Sequence, residues 1–232
     1  VSIFHAPPAT KFLNLKNHHK ARPQARMFYT EKHTERSKVP PRVGATKECN
    51  DLKDCLEEIR MSCGVLSGQR ECLRKSDILD WLEKELIEVK EITSMLIIAA
   101  FSHGEEGILF DSDLDPIPIK EIVALANRHM YQGIPICFML QACRKEPAIG
   151  NPPSVRLQPY NVLIRTCGEG QESRRSVYVG QFVQRVRSGE TEILKIHQDV
   201  VKYIVNHHDI YIRCQTPEYT TQLTKDELHL PH

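Results

Sequence analysis

The chain has 232 residues, of which 41% are hydrophobic and 26% are charged, a composition typical of one globular domain with a sizeable core. Its 31 basic and 30 acidic residues give a formal net charge of +1, which argues against a nucleic-acid or membrane surface as the main partner. Since no apolar run approaches the ~18 residues that a membrane span requires, we expect no membrane-spanning segment.

The part of the chain before residue 94 predicts one short strand and two helices. Residues 1–40 are rich in Pro, Lys and His and show little periodicity, which predicts poor structure apart from a short edge strand at 27–29. The helices are indicated by apolar residues at helical spacing, and Asp77 can cap the second of them. Their apolar faces carry Leu52, Leu56 and Ile59 in the first helix, which Gly64 would end, and Ile78, Trp81, Leu82, Leu86 and Val89 in the second.

The rest of the chain predicts strands that alternate with helices. Residues 94–101 and 134–140 are continuously apolar, as expected for central parallel strands that are covered on both faces. The other predicted elements are a helix at 119–129, a strand at 161–166, helices at 179–187 and 193–205, and a strand-like tail at 210–230. This order indicates an α/β fold with a mostly parallel central sheet and helices on both faces.

The eight cysteines raise the question of disulfides or a metal site. The N-terminal residues lack the charged and apolar regions of a secretory signal, so reduced thiols are the better prediction for a chain of this length. No two cysteines are spaced as C-x-x-C, which argues against a structural zinc site. We therefore expect no metal and no cofactor, and we interpret most of the cysteines as small core residues.

The two apolar runs are each followed by residues whose side chains suit catalysis. His103 and Gly104 follow the first run, and Gln141 and Cys143 follow the second. Active sites of parallel sheets lie outside the carboxyl ends of the strands, so a histidine and a cysteine are expected at one edge of the sheet.

A histidine beside a cysteine can act as the base that deprotonates the thiol, because the reference pKa of histidine is about 6.5. The backbone N–H groups of Gly104 and Cys143 can then hold the oxyanion of a tetrahedral intermediate. The alternative is a buried cysteine and a core histidine that happen to end two strands. The residue pattern alone leaves both interpretations open.

Two segments resemble a known family. Phe-Ser-His-Gly-Glu-Glu-Gly at 101–107 resembles the catalytic-histidine motif of the caspases, and Gln-Ala-Cys-Arg at 141–144 resembles their catalytic-cysteine motif. The resemblance covers roughly residues 27–230 and implies a caspase-like three-layer sandwich, with His103 as general base and Cys143 as nucleophile. It also implies a poorly structured segment at 1–26, a large-subunit-like part at 27–145, a linker at 146–160 and a small-subunit-like part at 161–232 of the same domain.

The resemblance further implies a pocket for an aspartate side chain. Arg42, in an Arg-x-Gly segment, and Arg174, in the specificity loop, match the arginines with which caspases hold the substrate, and Gln141 would add a neutral donor. Guanidinium groups suit this task because they bind carboxylates through two hydrogen bonds at once. The alternative for a lone arginine is a surface salt bridge. The implied partners are protein substrates with Asp at the cleavage site and another caspase chain, as homodimer or heterodimer, and the implied setting is cytoplasmic and concerned with programmed cell death.

The sequence departs from the family pattern in four places. Lys145 stands where the cysteine motif has Gly, Glu172 places an anion in the specificity loop, the linker 146–160 contains no Asp, and the last strand at 218–223 is polar. These departures leave two functions open: a caspase-type endopeptidase, and a catalytically weak or inactive caspase-like regulator that pairs with an active caspase. An unrelated flavodoxin-type domain is disfavoured, because no Gly-rich phosphate-binding loop is present.

Overall fold

The computed structural model describes residues 21–34, 41–42, 44–68, 72–105, 107–131, 133–142, 161–166, 177–207, 218–221 and 228–231. Its strands are β1 (Arg22–Thr30), β2 (Ser62–Gly68), β3 (Thr93–Phe101), β4 (Gly104–Glu105), β5 (Ile108–Phe110), β6 (Pro116–Pro118), β7 (Ile136–Gln141), β8 (Asn161–Thr166) and β9 (Glu218–Thr221). Its helices are α1 (Ala45–Glu58), α2 (Lys75–Val89), α3 (Ile119–His129), α4 (Val177–Arg187) and α5 (Ile193–Asn206).

Six of these strands form one twisted layer in the order β2-β1-β3-β7-β8-β9, and β4-β5-β6 form a small separate sheet. All neighbours in the large sheet are parallel except β9, which runs antiparallel to β8. The predicted α/β fold with a mostly parallel central sheet is therefore confirmed.

The apolar runs read from the sequence are explained by two cores, one on each face of the sheet. Along β3, Met95, Ile97 and Ala99 pack on the side of α1, α4 and α5, whereas Leu96 and Ile98 pack on the side of α2 and α3. A strand that contributes to both cores has no solvent-facing side, which is why its sequence does not alternate. The predicted three-layer sandwich is confirmed.

The prediction of an edge strand at 27–29 is wrong. β1 is nine residues long, begins inside the segment 1–26 that was predicted to be poorly structured, and pairs with β2 on one side and β3 on the other. The polar residues Gln24 and Arg26 hid it, and both are nevertheless buried. The charge of the buried Arg26 is compensated by Glu85 of α2, with Nε of Arg26 and Oε2 of Glu85 2.6 Å apart. Its guanidinium also donates to the carbonyl of Ala25.

β2 was not predicted either. α1 ends at Glu58, the chain turns at Arg60 with a φ of 66°, and Gly64, the predicted helix end, lies inside β2. In contrast, α3 and β8 have the predicted bounds. The N-terminal residues 1–20 and the linker 146–160 lie outside the described residues, so the predicted division into large-subunit-like and small-subunit-like parts stays a prediction.

Several cysteines lie in the cores, as predicted. Burial raises the pKa of the Cys49 and Cys137 thiols to about 12 and that of Cys55 to about 11, so these thiols stay protonated at neutral pH. None of the helices in the described part of the chain is long and apolar enough to cross a membrane.

Candidate active site

Three neighbouring strands end at the same edge of the sheet. Tyr29 of β1 is level with Phe101 of β3, and Phe101 is level with Gln141 of β7. The backbone N–H of Ser102 donates to the carbonyl of Gln141 over 3.1 Å, so the pairing continues one residue beyond β3. Residues that follow these strands therefore emerge side by side, in the crevice where parallel sheets carry their active sites.

His103 lies at this edge on a fixed backbone. Its carbonyl accepts a hydrogen bond from the Phe110 N–H over 2.8 Å, and the preceding Ser102 hydroxyl donates to the Phe110 carbonyl. Ser102 is buried, so these bonds are shielded from water. The hairpin of β4 and β5 thus holds the backbone of the candidate base from behind.

Gly104 fills a position where a side chain has no room. A Cβ atom there would overlap the carbonyl oxygen of Ile108 and lie 2.7 Å from the Cβ of Ala142. Ala142 directly precedes Cys143 in the sequence. Glycine is required by this close approach, which brings the backbone that follows the candidate base against the backbone that precedes the candidate nucleophile.

Arg42 is anchored beyond the end of β1. Its backbone N–H donates to the carbonyl of Glu31 over 3.0 Å, and its guanidinium nitrogen Nη2 lies 2.9 Å from Oε2 of Glu48 on α1. The side chains of Arg42 and Glu48 are only 13% and 7% exposed. The carboxylate of Glu31 also accepts hydrogen bonds from the N–H and the hydroxyl of Thr46 at the start of α1. Hydrogen bonds therefore connect the residue after β1 to both Arg42 and the start of α1.

Gln141 ends β7, two residues before Cys143 in the sequence, and is 5% exposed. The structure thus brings Arg42, His103, Gly104 and Gln141 to three adjacent strand ends. Cys143 and Arg174 lie outside the described residues, as do Lys145 and Glu172, and their assigned roles stay predictions.

One residue of this edge was missed by the sequence reasoning. The ring of His33 lies against that of His103, with centroids 4.9 Å apart and planes inclined by 42°. Burial, and next the charge that His103 can carry, lower the pKa of His33. His33 follows β1 as His103 follows β3, so the prediction of a full parallel strand at 22–30 would have placed both histidines at one edge. The role of Glu48 as the partner of Arg42 was missed as well.

A tight loop borders the two histidines. Between β5 and β6, one carboxylate oxygen of Asp111 accepts the N–H groups of Asp113 and Asp115, each over 2.8 Å, and the other accepts that of Lys75 over 2.7 Å. Ser112 of this loop accepts the N–H of Thr34 over 2.8 Å, next to His33. No group of three or more His, Cys, Asp or Glu side chains that could hold a metal ion occurs among the residues that the structure describes.

The sequence matches the family model of the caspase domain over residues 31–228. The crystal structure of caspase-1 from Spodoptera frugiperda is similar to this chain with a TM-score of 0.71 and 17% identity, over 97% of this chain and 95% of that one. A structure of pro-sf-caspase-1 is similar with a TM-score of 0.73 and 15% identity, over 95% and 98% of the two chains. At these identities the structural likeness concerns the fold. No curated protein matches the sequence.

Proposed function

The chain belongs to the caspase family, and from this premise we propose that it is a cysteine endopeptidase that cleaves proteins after aspartate. The observation that carries the proposal is the contact between Gly104 and Ala142. Gly104 directly follows His103, and Ala142 directly precedes Cys143. This contact between their chain neighbours supports the proposal that base and nucleophile are adjacent, which is what activation of a thiol by a base requires.

In the proposed reaction, His103 accepts the proton of the Cys143 thiol, and the thiolate attacks the carbonyl carbon of the peptide bond that follows aspartate. The carbonyl oxygen takes up the displaced electron pair, and the N–H groups of Gly104 and Cys143 hold the resulting oxyanion. When this intermediate collapses, the C–N bond breaks and His103 gives its proton to the leaving amine. Water then attacks the thioester with His103 again as base, which releases the acid and restores the thiol.

Arg42, Gln141 and Arg174 bind the substrate aspartate in this proposal. Arg42 and Gln141 both lie at the edge that carries His103, and both are largely shielded from solvent. Glu48 fixes the guanidinium of Arg42 from the side of α1. Since a guanidinium has five N–H donors, a contact with Glu48 and a contact with a substrate carboxylate are compatible.

A second candidate function is a caspase-like regulator with little catalysis of its own. It is favoured by Lys145, which replaces the family's Gly, and by the position of β9 at the end of the sheet. Within the described residues, β9 pairs with β8 alone. A strand edge of this kind offers backbone donors and acceptors to a second chain. Pairing with an active caspase, a role in programmed cell death and a cytoplasmic setting belong to the proposal through the family alone.

Covalent labelling by an Asp-peptide ketone probe tests the first function, with intact mass and peptide mapping as the readout. We expect one adduct, at Cys143, that Cys143→Ala abolishes. Cys72→Ala is the matched control, because Cys72 is an exposed thiol that the proposed reaction does not use and its removal should leave the adduct unchanged. A folded chain that stays unlabelled at high probe concentration contradicts the endopeptidase proposal.

The regulator is tested on the same material. If no adduct forms, the chain is added to an active caspase and the turnover of a fluorogenic Asp-peptide is followed. A change in turnover that saturates with added chain supports the regulator. Unchanged turnover, together with no complex in size-exclusion chromatography, contradicts it.

A further inference from the structure

The imidazole of His33 is built into the candidate active site and is not used by the proposed reaction. Its ring centroid lies 4.9 Å from that of His103. Both of its ring nitrogens are inaccessible to solvent, and the backbone groups of Asp111 and Ser112 interact with the ring without forming a hydrogen bond of good geometry. A buried polar ring without such a bond costs stability, so its position calls for a reason beyond packing.

The backbone around His33 is well fixed. The next residue, Thr34, donates its N–H to the carbonyl of Ser112 over 2.8 Å. Ser112 is itself fully buried and donates its own N–H to the carbonyl of Leu73 over 2.9 Å. The ring of His33 is therefore presented to His103 by a rigid contact between the end of β1 and the loop that follows β5.

We propose that His33 is a positioning residue for His103: its uncharged ring packs against the His103 ring and limits the orientation of that ring. Two imidazolium ions at this separation would repel each other in a site that is partly shielded from water. A charge on His103 therefore disfavours a charge on His33.

The surroundings of His33 favour its uncharged form. Burial and the charge on His103 lower the pKa of His33, in that order. The backbone groups of Asp111 and Ser112 and the carboxylate of Asp111 act in the opposite direction, and the net pKa is still lowered. His33 thus stays neutral beside His103 and does not compete with it for the proton of a thiol.

This inference deepens the proposed endopeptidase function and rests on it, but its main test needs no activity. Histidines labelled with carbon-13 at Cε1 are titrated by NMR, and the signals of His33 and His103 are assigned by substitution. We expect His103→Phe to raise the pKa of His33 by about one unit, because the charge on His103 lowers that pKa in the wild type. His207→Phe is the control, since His207 stacks on Tyr203 at the end of α5 and should affect neither ring.

A His33 pKa that rises in His103→Phe supports the coupling, because the charge on His103 lowers that pKa in the wild type. A His33 pKa that changes no more than it does in His207→Phe overturns the proposal. Should His103→Phe fail to fold, His103→Gln removes the same charge and still tests it. This result does not depend on whether Cys143 reacts.

The positioning role has its own readout if Cys143 is labelled by the probe. We expect His33→Ala to lower the rate constant of labelling at saturating probe roughly tenfold, because the base loses its orientation. The probe concentration that gives half the maximal rate should change little. His33→Phe keeps a ring and should restore most of that rate. Equal losses in His33→Ala and His33→Phe, or a loss that appears only in half-saturation, contradict the positioning role.

Discussion

The carboxyl edge of the sheet and the helix layer on one of its faces each contain a histidine packed on another ring. At the edge, His33 and His103 lie 4.9 Å apart by their ring centroids, beside backbone groups that favour the protonated state of His33. In the helix layer, Tyr178 of α4 and His197 of α5 lie 5.7 Å apart, and their Oη and Nδ1 atoms are 3.1 Å apart. His197 is 2% exposed, and burial lowers its pKa to about 4.

The difference shows that surroundings, and not residue type, decide what a histidine can do. Burial also raises the pKa of the Tyr178 phenol, which therefore keeps its proton, and its Oη shares a hydrogen bond with Nδ1 of His197. A histidine that is held neutral in this way contributes to stability and has no access to a substrate. The edge pair lies where the strand ends open into the crevice, so its proton can be exchanged during a reaction.

The largest expected effect comes from removing the candidate base, His103, which tests whether the edge pair takes part in catalysis. We expect His103→Gln to lower the rate of probe labelling at Cys143 by about 10²–10⁴-fold, the usual contribution of a positioned acid or base. The unfolding midpoint should change little, because the backbone of this residue is held by the hairpin of β4 and β5. Labelling kinetics and thermal unfolding of the same sample check both statements, and retained labelling would remove His103 from the mechanism.

The corresponding test in the helix layer concerns His197, whose protonation makes the stability of the fold depend on pH. Its folded pKa of about 4 lies below the ordinary 6.5, so the unfolded chain binds the proton first as the pH falls. The stability that the neutral ring contributes is therefore complete above about pH 6.5 and is lost as the pH falls towards about 4. The whole loss is about 3 kcal/mol, from the shift at roughly 1.4 kcal/mol per unit.

Urea unfolding of wild type and His197→Gln between pH 7 and pH 4 measures this loss. We expect the variant to be less stable at pH 7 and to lose less on acidification than the wild type. The matched control is His207→Gln, because His207 lies just beyond α5 and is only half-buried. Parallel pH curves for wild type and His197→Gln would contradict the assignment of the acid sensitivity to His197.

A smaller effect is expected at Gly104. Gly104→Ala places a methyl group against the Ile108 carbonyl and the Ala142 side chain, which costs about 1–3 kcal/mol of stability as an overpacked contact. Labelling should fall at the same time, because the strand ends must separate to admit the methyl group. Gly180→Ala is the control, since a methyl group on this residue of α4 meets nothing within 4 Å. Wild-type labelling by a folded Gly104→Ala would show that the close approach is unimportant for the site.

The smallest effect concerns proteolytic cleavage of this chain by another caspase. The linker 146–160 contains no Asp, and the Asp111 carboxylate ties the nearby Asp113 and Asp115 into a loop that cannot extend into a protease cleft. We expect an active caspase to leave the chain uncut, and Asp111→Ala to permit slow cleavage after Asp113. The double variant Asp111→Ala, Asp113→Glu should again resist at that bond. Two stable fragments from the wild type, cut within the linker or this loop, would contradict the prediction.

The sequence predicted the elements whose apolar pattern is strongest. β3, β7 and α3 were found because continuous apolar runs and helical periodicity leave few alternatives. β1 was reduced to a short edge strand because its buried Arg26 is stabilised by Glu85, a residue of a different element whose proximity no local pattern reveals. β2 was missed because its glycines and serines carry little strand propensity.

The candidate site was only partly predictable, because only some of its residues follow strands with a strong apolar pattern. His103, Gly104 and Gln141 follow strongly apolar strands, and their motifs resemble the caspases, so both the position and the chemistry could be read. His33 follows a strand whose polar residues hid it, and Glu48 pairs with Arg42 through a contact that only the folded chain creates. Contacts between elements distant in sequence are set by packing, which one sequence does not show.

The internal position of β1 also has a consequence for synthesis. Tyr29 pairs with Phe101, so β1 cannot complete its pairing until β3 has left the ribosome. At ordinary rates of about 5–20 residues per second, the interval between the two is roughly 4–15 s. During that time Ala25, Met27 and Phe28, all fully buried in the finished protein, can pair only on the side of β2. The nascent chain therefore exposes an apolar strand for seconds, and a chaperone that binds such strands would favour correct folding most at this stage.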